Sequence, residues 1–205
     1  MAVASLSRFT VPLASNQSAS SQGLLMPKLP FRFRASFLGF GVSSNVVELT
    51  KQLVSFARPT VTFGDIVVDV YNSKVKLAGK PEWQDVQVVL RDDAAGNVTQ
   101  LVGEQVQKQF DFMEQSSAAS GIDYKFITRL EMLDGGNGVS EPTVIEAWEL
   151  YGCYIQSAAY GEMNYGQNDP VQITLTLKFD NALQDPSDGG VGTFIGRTTG
   201  TNITM

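Results

Sequence analysis

From Val171 to Asp180 the chain alternates without a break. Val171, Ile173, Leu175, Leu177 and Phe179 face one way, and Gln172, Thr174, Thr176, Lys178 and Asp180 the other. A period of two predicts a strand with one buried and one wetted face. Phe31–Leu38 repeats it: Phe31, Phe33, Ala35 and Phe37 oppose Arg32, Arg34 and Ser36, predicting a strand with its aromatics turned inward. Asp65–Asp93 holds two more such strands. Ile66, Val68 and Val70 alternate with Val67, Asp69 and Tyr71, and Val86, Val88 and Leu90 alternate with Asp85, Gln87 and Arg91. The segment between them, Ala78-Gly79-Lys80-Pro81-Glu82-Trp83, reads as a long loop. Apolar Val67 and Val89 intrude on the wetted faces, which benefits a subunit that continues its sheet into a neighbour. Thr60–Tyr71 as a whole reads as one strand, bent at Gly64. An apolar run over Leu49–Ala57 ends before Pro59. Tyr124–Leu133 and Thr143–Ser157 complete the strands, joined through Asp134-Gly135-Gly136-Asn137-Gly138, a hairpin-type turn requiring positive φ.

One segment changes period. Val98, Leu101, Val102, Val106, Phe110 and Met113 fall on a single helical stripe, while Glu104, Gln107 and Lys108 face away. This predicts a helix over Val98–Ala119, capped by Asn97 with Gln100 as capping-box partner and stopped at Gly121. The fold class that follows is mainly β: an antiparallel β-sandwich or partly open barrel with one flanking α-helix. Residues 1–30 are rich in Ser and Ala, contain Pro12, Pro27 and Pro30, and read as an extended N-terminal arm. Residues 31–183 form the β domain, and the Gly/Thr-rich residues 184–205 a flexible C-terminal tail.

Composition narrows function. The 205 residues contain no histidine, which removes the commonest general base and metal ligand. Cys153 is the single cysteine, so neither an intrachain disulfide nor a cysteine-cluster zinc site can form. It reads as a small buried strand residue. No segment approaches the roughly 20 apolar residues of a membrane span, and Met1–Thr10 lacks the charged and apolar regions of a Sec signal peptide. Net charge is −6, but residues 1–60 carry six Lys and Arg against Glu48 alone, while the remainder carries nine basic and twenty acidic residues. Such asymmetry suits an interaction arm in which this basic segment docks on the acidic body of the next copy. The alternative is that Arg32 and Arg34 occupy the wet face of a strand. The acidic body argues against tight non-specific DNA binding.

The remaining chemistry is sparse. Asp92-Asp93 reads as a polar turn before the helix rather than a paired-carboxylate site, and Asp134–Gly138 as a turn rather than a calcium loop, since Val139 stands at the next alternate ligand position. Gly189–Gly196 is neither a dinucleotide fingerprint nor a P-loop. Trp83 and Trp148 read as core or subunit-seam residues. No cofactor or metal is expected, and no enzymatic activity. A carboxylate-dependent hydrolase would have to draw on Asp92, Asp93, Glu146 and Glu149.

The order of elements resembles the tail tube proteins of contractile phage tails, and is similar to tailocin and type VI secretion tube proteins. The features that carry the resemblance span Pro30–Leu183: the opening strand PFRFRASF, the strand–loop–strand from Asp65 to Asp93 with Gly79 and Trp83, the single helix, and the late strands EAWELYGCYIQSAAYGEMNY and VQITLTLKFDNAL. The resemblance implies a structural subunit of stacked hexameric rings, each giving strands to a continuous inner β-barrel that conducts DNA. It implies Phe31, Arg32, Arg34, Val67, Trp83 and Val89 at subunit interfaces, and Asp85, Gln87, Thr174 and Thr176 lining the lumen. Implied partners are further copies, a tail sheath protein, baseplate and tail terminator proteins, and tape measure protein and genomic DNA passing inside. No membrane is involved; the location implied is a virion tail assembled in the host cytoplasm. The arm and tail depart from the family's compact core and are assigned to ring-to-ring or tube-to-sheath contacts. Alternatives are a baseplate tube initiator or tail terminator, or a solitary carbohydrate-binding β-sandwich using Trp83 or Trp148.

Overall fold

The computed structural model describes residues 27–42, 46–135, 141–166, 168–184 and 190–192. Most of the predicted N-terminal arm, the part of the hairpin turn around Asn137, and most of the predicted tail lie outside the described residues. The elements are β1 (Phe33–Leu38), α1 (Val47–Lys51), β2 (Leu53–Phe56), β3 (Val61–Val70), β4 (Ser73–Trp83), β5 (Val86–Arg91), α2 (Asn97–Gln109), β6 (Phe110–Asp111), β7 (Ser116–Ser117), α3 (Gly121–Tyr124), β8 (Phe126–Leu133), β9 (Val144–Ala159), β10 (Gln172–Lys178) and β11 (Asn181–Gln184). The described chain divides between Arg32 and Phe33 into two units.

The second unit is mainly β and antiparallel. Its strands run in the order β1-β8-β9-β10-β5-β2, with β11 beside β9. The long strand β9 serves two layers: its first part pairs with β8 and β11, and its last part with β10. Gly152, at φ 69°, lies two residues before Tyr154, where the pairing with β10 begins. A Cβ there would run into the Asp180 side chain, so β9 can pass so close to Asp180 only at a glycine. The layers β1-β8-β9-β11 and β9-β10-β5-β2 enclose one core. Val86, Val88 and Leu90 of β5 meet Ile173, Leu175 and Leu177 of β10, with Leu150, Cys153 and Ile155 of β9. All are buried, and each large aliphatic contributes about 1.5–3 kcal/mol by leaving water. Phe37, Phe40 and Phe126 close one end, with ring centroids 4.9 to 6.4 Å apart. The alternation read for 173–177 and 86–91 is therefore the alternation of core and surface, whereas Val171, read on the buried face, precedes β10 and is 41% exposed.

Helix α2 covers the core with Val98, Leu101 and Val102, all buried. Its polar side chains also bind the fold. Buried Gln105 accepts from the Gly41 N–H at 2.8 Å and donates to the Tyr124 carbonyl at 2.7 Å. Lys108 donates to the carbonyls of Gly39 and Gly41. The helix starts differently from the prediction. Its N-cap is Gly96 at φ 72°, not Asn97, and the capping carboxylates come from upstream. Asp93 accepts from the Asn97 N–H at 2.8 Å, and Asp92 from the Thr99 hydroxyl at 2.6 Å. The helix also ends ten residues early, at Gln109 rather than Ala119. Asp111 takes up the N–H groups of Met113 and Glu114 and the Gln107 amide, at 2.9, 3.2 and 2.8 Å. This local turn competes successfully with helix propagation, leaving Phe110 and Met113 exposed instead of on the packed stripe.

The other correction concerns Asp65–Asp93. Ala78–Trp83 is not a loop but the second half of β4, and the chain reverses at Tyr71–Asn72. Strands β3 and β4 pair only with each other, so Ile66, Val68 and Val70 are not a buried face. A bulge sets Gly79 and Lys80 opposite Gly64. A Cβ on Gly79 would lie 2.8 Å from the Gly64 carbonyl oxygen, which explains the glycine there.

Candidate assembly surface

The β3–β4 ribbon is the part of the described chain that its own packing leaves unfinished. The register pairs Ile66 with Leu77, Val68 with Val75 and Val70 with Ser73. These cross-strand pairs share a face, which gives an aliphatic stripe whose members are 42 to 51% exposed. The opposite face carries Asp65, Val67 and Asp69 against Ala78, Lys76 and Lys74. Lys74 and Asp69 form a largely exposed ion pair at 3.4 Å. The two strands are oppositely charged: β3 carries Asp65 and Asp69, whereas β4 carries Lys74, Lys76 and Lys80 against Glu82. An isolated two-stranded ribbon with an aliphatic face is marginal in water.

The ribbon joins the body at Trp83, whose ring lies 5.7 Å from that of Phe179 and packs against the core. An open hollow there is lined by Glu82, Trp83, Gln84, Asp85, Lys178 and Phe179. The hollow lies at the rim of the second notable surface, the outer face of the layer β9-β10-β5-β2. The register sets Thr176 opposite both Gln87 and Ser157, and Thr174 opposite Val89, and Lys178 approaches Asp85 at 3.8 Å. The residues predicted to line a lumen, Asp85, Gln87, Thr174 and Thr176, thus come together on one polar face. Val89 sits among them, between Thr174 and Ser55, and not with Val67, which is on the ribbon.

The predicted interface residues otherwise separate. Phe31 and Arg32 precede β1, where the Arg32 guanidinium stands 5.5 Å over the Phe31 ring. Phe31 is 70% exposed and lies outside the strand it was assigned to, because the chain turns through a bond from Arg32 N–H to the Leu29 carbonyl. Arg34 is on the outer face of β1 and donates to Glu131, which also accepts from Arg129 at 2.8 Å. Arg129 reaches Glu149 at 2.6 Å, and the Tyr151 hydroxyl donates to the same carboxylate group. A ladder of alternating charge therefore crosses β1, β8 and β9. Burial pushes the Glu131 carboxyl up, but the bonds from Arg34 and Arg129 outweigh it and hold the group below its ordinary value.

The acidic groups considered for catalysis are engaged elsewhere. Asp92 and Asp93 cap α2, Glu149 belongs to the charge ladder, and Glu146 accepts from the Trp148 indole at 2.7 Å and faces Arg58 at 3.8 Å. Cys153 is buried, and burial pushes its thiol up to about 11. Among the described residues no cluster of three metal-ligating side chains occurs, and no helix is long and apolar enough to cross a membrane. Sequence reading missed Gln105 and Gln109: glutamines on an amphipathic helix carry no signal of burial.

No family model matches the sequence, and no curated protein matches it. Solved structures do. A cryo-EM chain from the anti-feeding prophage tube-terminating cap superimposes with a TM-score of 0.58 at 13% identity, over 82% of this chain and 97% of that one. A chain from the sheath/tube terminator of an extracellular contractile injection system gives 0.55 at 13% identity, over 79% and 99%. One from the sheath–tube complex of the same kind of particle gives 0.54 at 12% identity, over 77% and 90%. The fold of this chain is the tail-tube-like fold found in the tube, cap and terminator assemblies of contractile injection systems.

Proposed function

We propose that the chain is a structural subunit of a contractile tail tube, which forms stacked hexameric rings with a continuous inner β-barrel that conducts DNA. The observation that carries this reading is the β3–β4 ribbon. Its aliphatic face and both of its strand edges lack a partner within the described chain, and incorporation into a ring removes such edges. The tail-tube-like fold supports the same reading. On this reading the polar face of Asp85, Gln87, Thr174 and Thr176 lines the lumen. The ribbon, Arg34 and Trp83 lie at or near seams between copies, and sheath, baseplate, terminator and tape measure proteins are the further partners in a virion tail. The polar face is largely neutral hydroxyl and amide groups, with Lys178 facing Asp85 at 3.8 Å and Arg91 at its edge, which leaves passing phosphates little to bind.

A second reading is favoured by the near-complete coverage of the cap and terminator chains. In it the protein forms one ring that ends or starts a tube. Negative-stain electron microscopy of the purified full chain at high concentration decides between them. Hollow tubes or stacked rings are the expected result, discrete single rings select the terminator or initiator role, and a monodisperse monomer overturns both.

A further inference from the structure

The body carries a second exposed apolar feature, unrelated to the ribbon in sequence. After α2 the chain makes a short β6–β7 turn that presents Phe110, Phe112 and Met113, which are 37, 62 and 93% exposed. The Phe110 and Phe112 rings meet edge to face at 5.2 Å. The Asp111 carboxylate holds the backbone N–H groups of Met113 and Glu114. The backbone of the turn that presents the knob is therefore held by its own hydrogen bonds, and docking on it would cost little backbone entropy.

Resting on the reading that the chain self-assembles, we propose that the Phe110–Phe112–Met113 knob of one copy receives the aliphatic face of the β3–β4 ribbon of a second copy. Three observations favour this occupant. First, the two patches lie on different elements of one chain, so a head-to-tail contact covers both. A two-fold contact of ribbon on ribbon or knob on knob would leave the other patch in water. Second, the charges match. Phe110–Tyr124 contains Asp111, Glu114 and Asp123 and no Lys or Arg, whereas the stripe residues Val75 and Leu77 sit on β4 with Lys74, Lys76 and Lys80. Third, the shapes suit each other: two aromatic rings and a flexible methionine against a flat row of Ile66, Val68, Val70, Val75 and Leu77.

Cysteine pairing tests it, because Cys153 is the single native thiol and is buried. Full chains bearing Val68→Cys and Met113→Cys are made separately, mixed at a concentration where the native chain is assembled, and oxidised. A disulfide-linked pair in the mixture but in neither variant alone is expected, and a ladder of multimers from a chain carrying both changes. Rings or tubes without the mixed cross-link overturn the knob as receiver and leave self-assembly standing. Self-cross-linking of Val68→Cys alone identifies a two-fold ribbon contact and also overturns it. Absence of assembly in the native chain removes both readings. A separate arm uses Phe112→Asp with Met113→Asp, both on the exposed turn. Unchanged thermal unfolding with a threshold for assembly raised at least roughly tenfold is expected. Assembly at the native threshold, or onset of binding to a foreign sheath protein in place of self-association, speaks against the proposal.

Discussion

Gln109 holds Ile155 by both of its backbone groups: the side-chain amide donates to the Ile155 carbonyl at 2.9 Å and accepts from its N–H at 2.8 Å. The contact falls where β9 skips Gln156 in its pairing with β10. A bulge leaves backbone groups without ladder partners, and here the helix supplies them. Gln109→Ala should cost about 2 kcal/mol, the scale for leaving such groups unpaired. Chemical denaturation followed by tryptophan fluorescence measures it. A loss below about 0.5 kcal/mol would mean that water replaces the clamp.

Ile66→Ser with Val68→Ser is expected to leave the isolated subunit as stable as before, within about 0.5 kcal/mol, because both side chains are already half in water. The same pair should abolish higher-order assembly. Sedimentation velocity and thermal unfolding on one preparation separate the two effects. A matching drop in stability would show that the stripe packs on the subunit's own body.

Glu131 is held below its ordinary value of 4.5 in the folded protein. A depressed carboxylate contributes stability above its unfolded value and loses it as pH falls through the folded one. Native stability should therefore decline below about pH 4.5, and Glu131→Gln should flatten that part of the curve. At neutral pH the variant should be weaker by roughly 1–2 kcal/mol, since Arg34 is half in water and Glu131 is not. Urea midpoints between pH 3 and pH 7 (a range set by ordinary carboxylate values) check both arms, and parallel curves would exclude the linkage.

Gly152→Ala should destabilise the subunit by roughly 2 kcal/mol or more. The left-handed backbone strains any side chain, and the new Cβ meets Asp180, which also pairs with Lys125 at 2.6 Å. A Gly152→Ala, Asp180→Ala double variant relieves the collision but not the strain. Recovery of about half the loss is the expected outcome in thermal unfolding.

How far the sequence could be read depends on which contacts were local. Ile173, Leu175 and Leu177 alternate on β10 and are buried, as their period implies. Ile66, Val68 and Val70 alternate in the same way and are exposed. Period two states that a face is apolar but not what covers it. The polar set of Gln87, Thr174 and Thr176 was legible as surface. That Thr176 stands opposite Gln87 was not, because strand pairing across such a separation leaves no trace in spacing. Phe110 and Met113 continued a helical stripe on paper, but the hydrogen bonds of Asp111 won over periodicity. Gln105 carries no sequence signal of burial and is fully buried.

The opposite charges of β3 and β4 have a geometrical consequence. A strand edge accepts backbone bonds from almost any other strand, so hydrogen bonding alone does not tell left from right. With Asp65 and Asp69 on one strand and Lys74, Lys76 and Lys80 on the other, like edges repel and unlike edges attract. Each ribbon thus has a handed identity, as a plug differs from its socket. Were two copies to meet edge to edge through their ribbons, the unlike edges would be the favoured match, and an inverted neighbour would set like charges side by side.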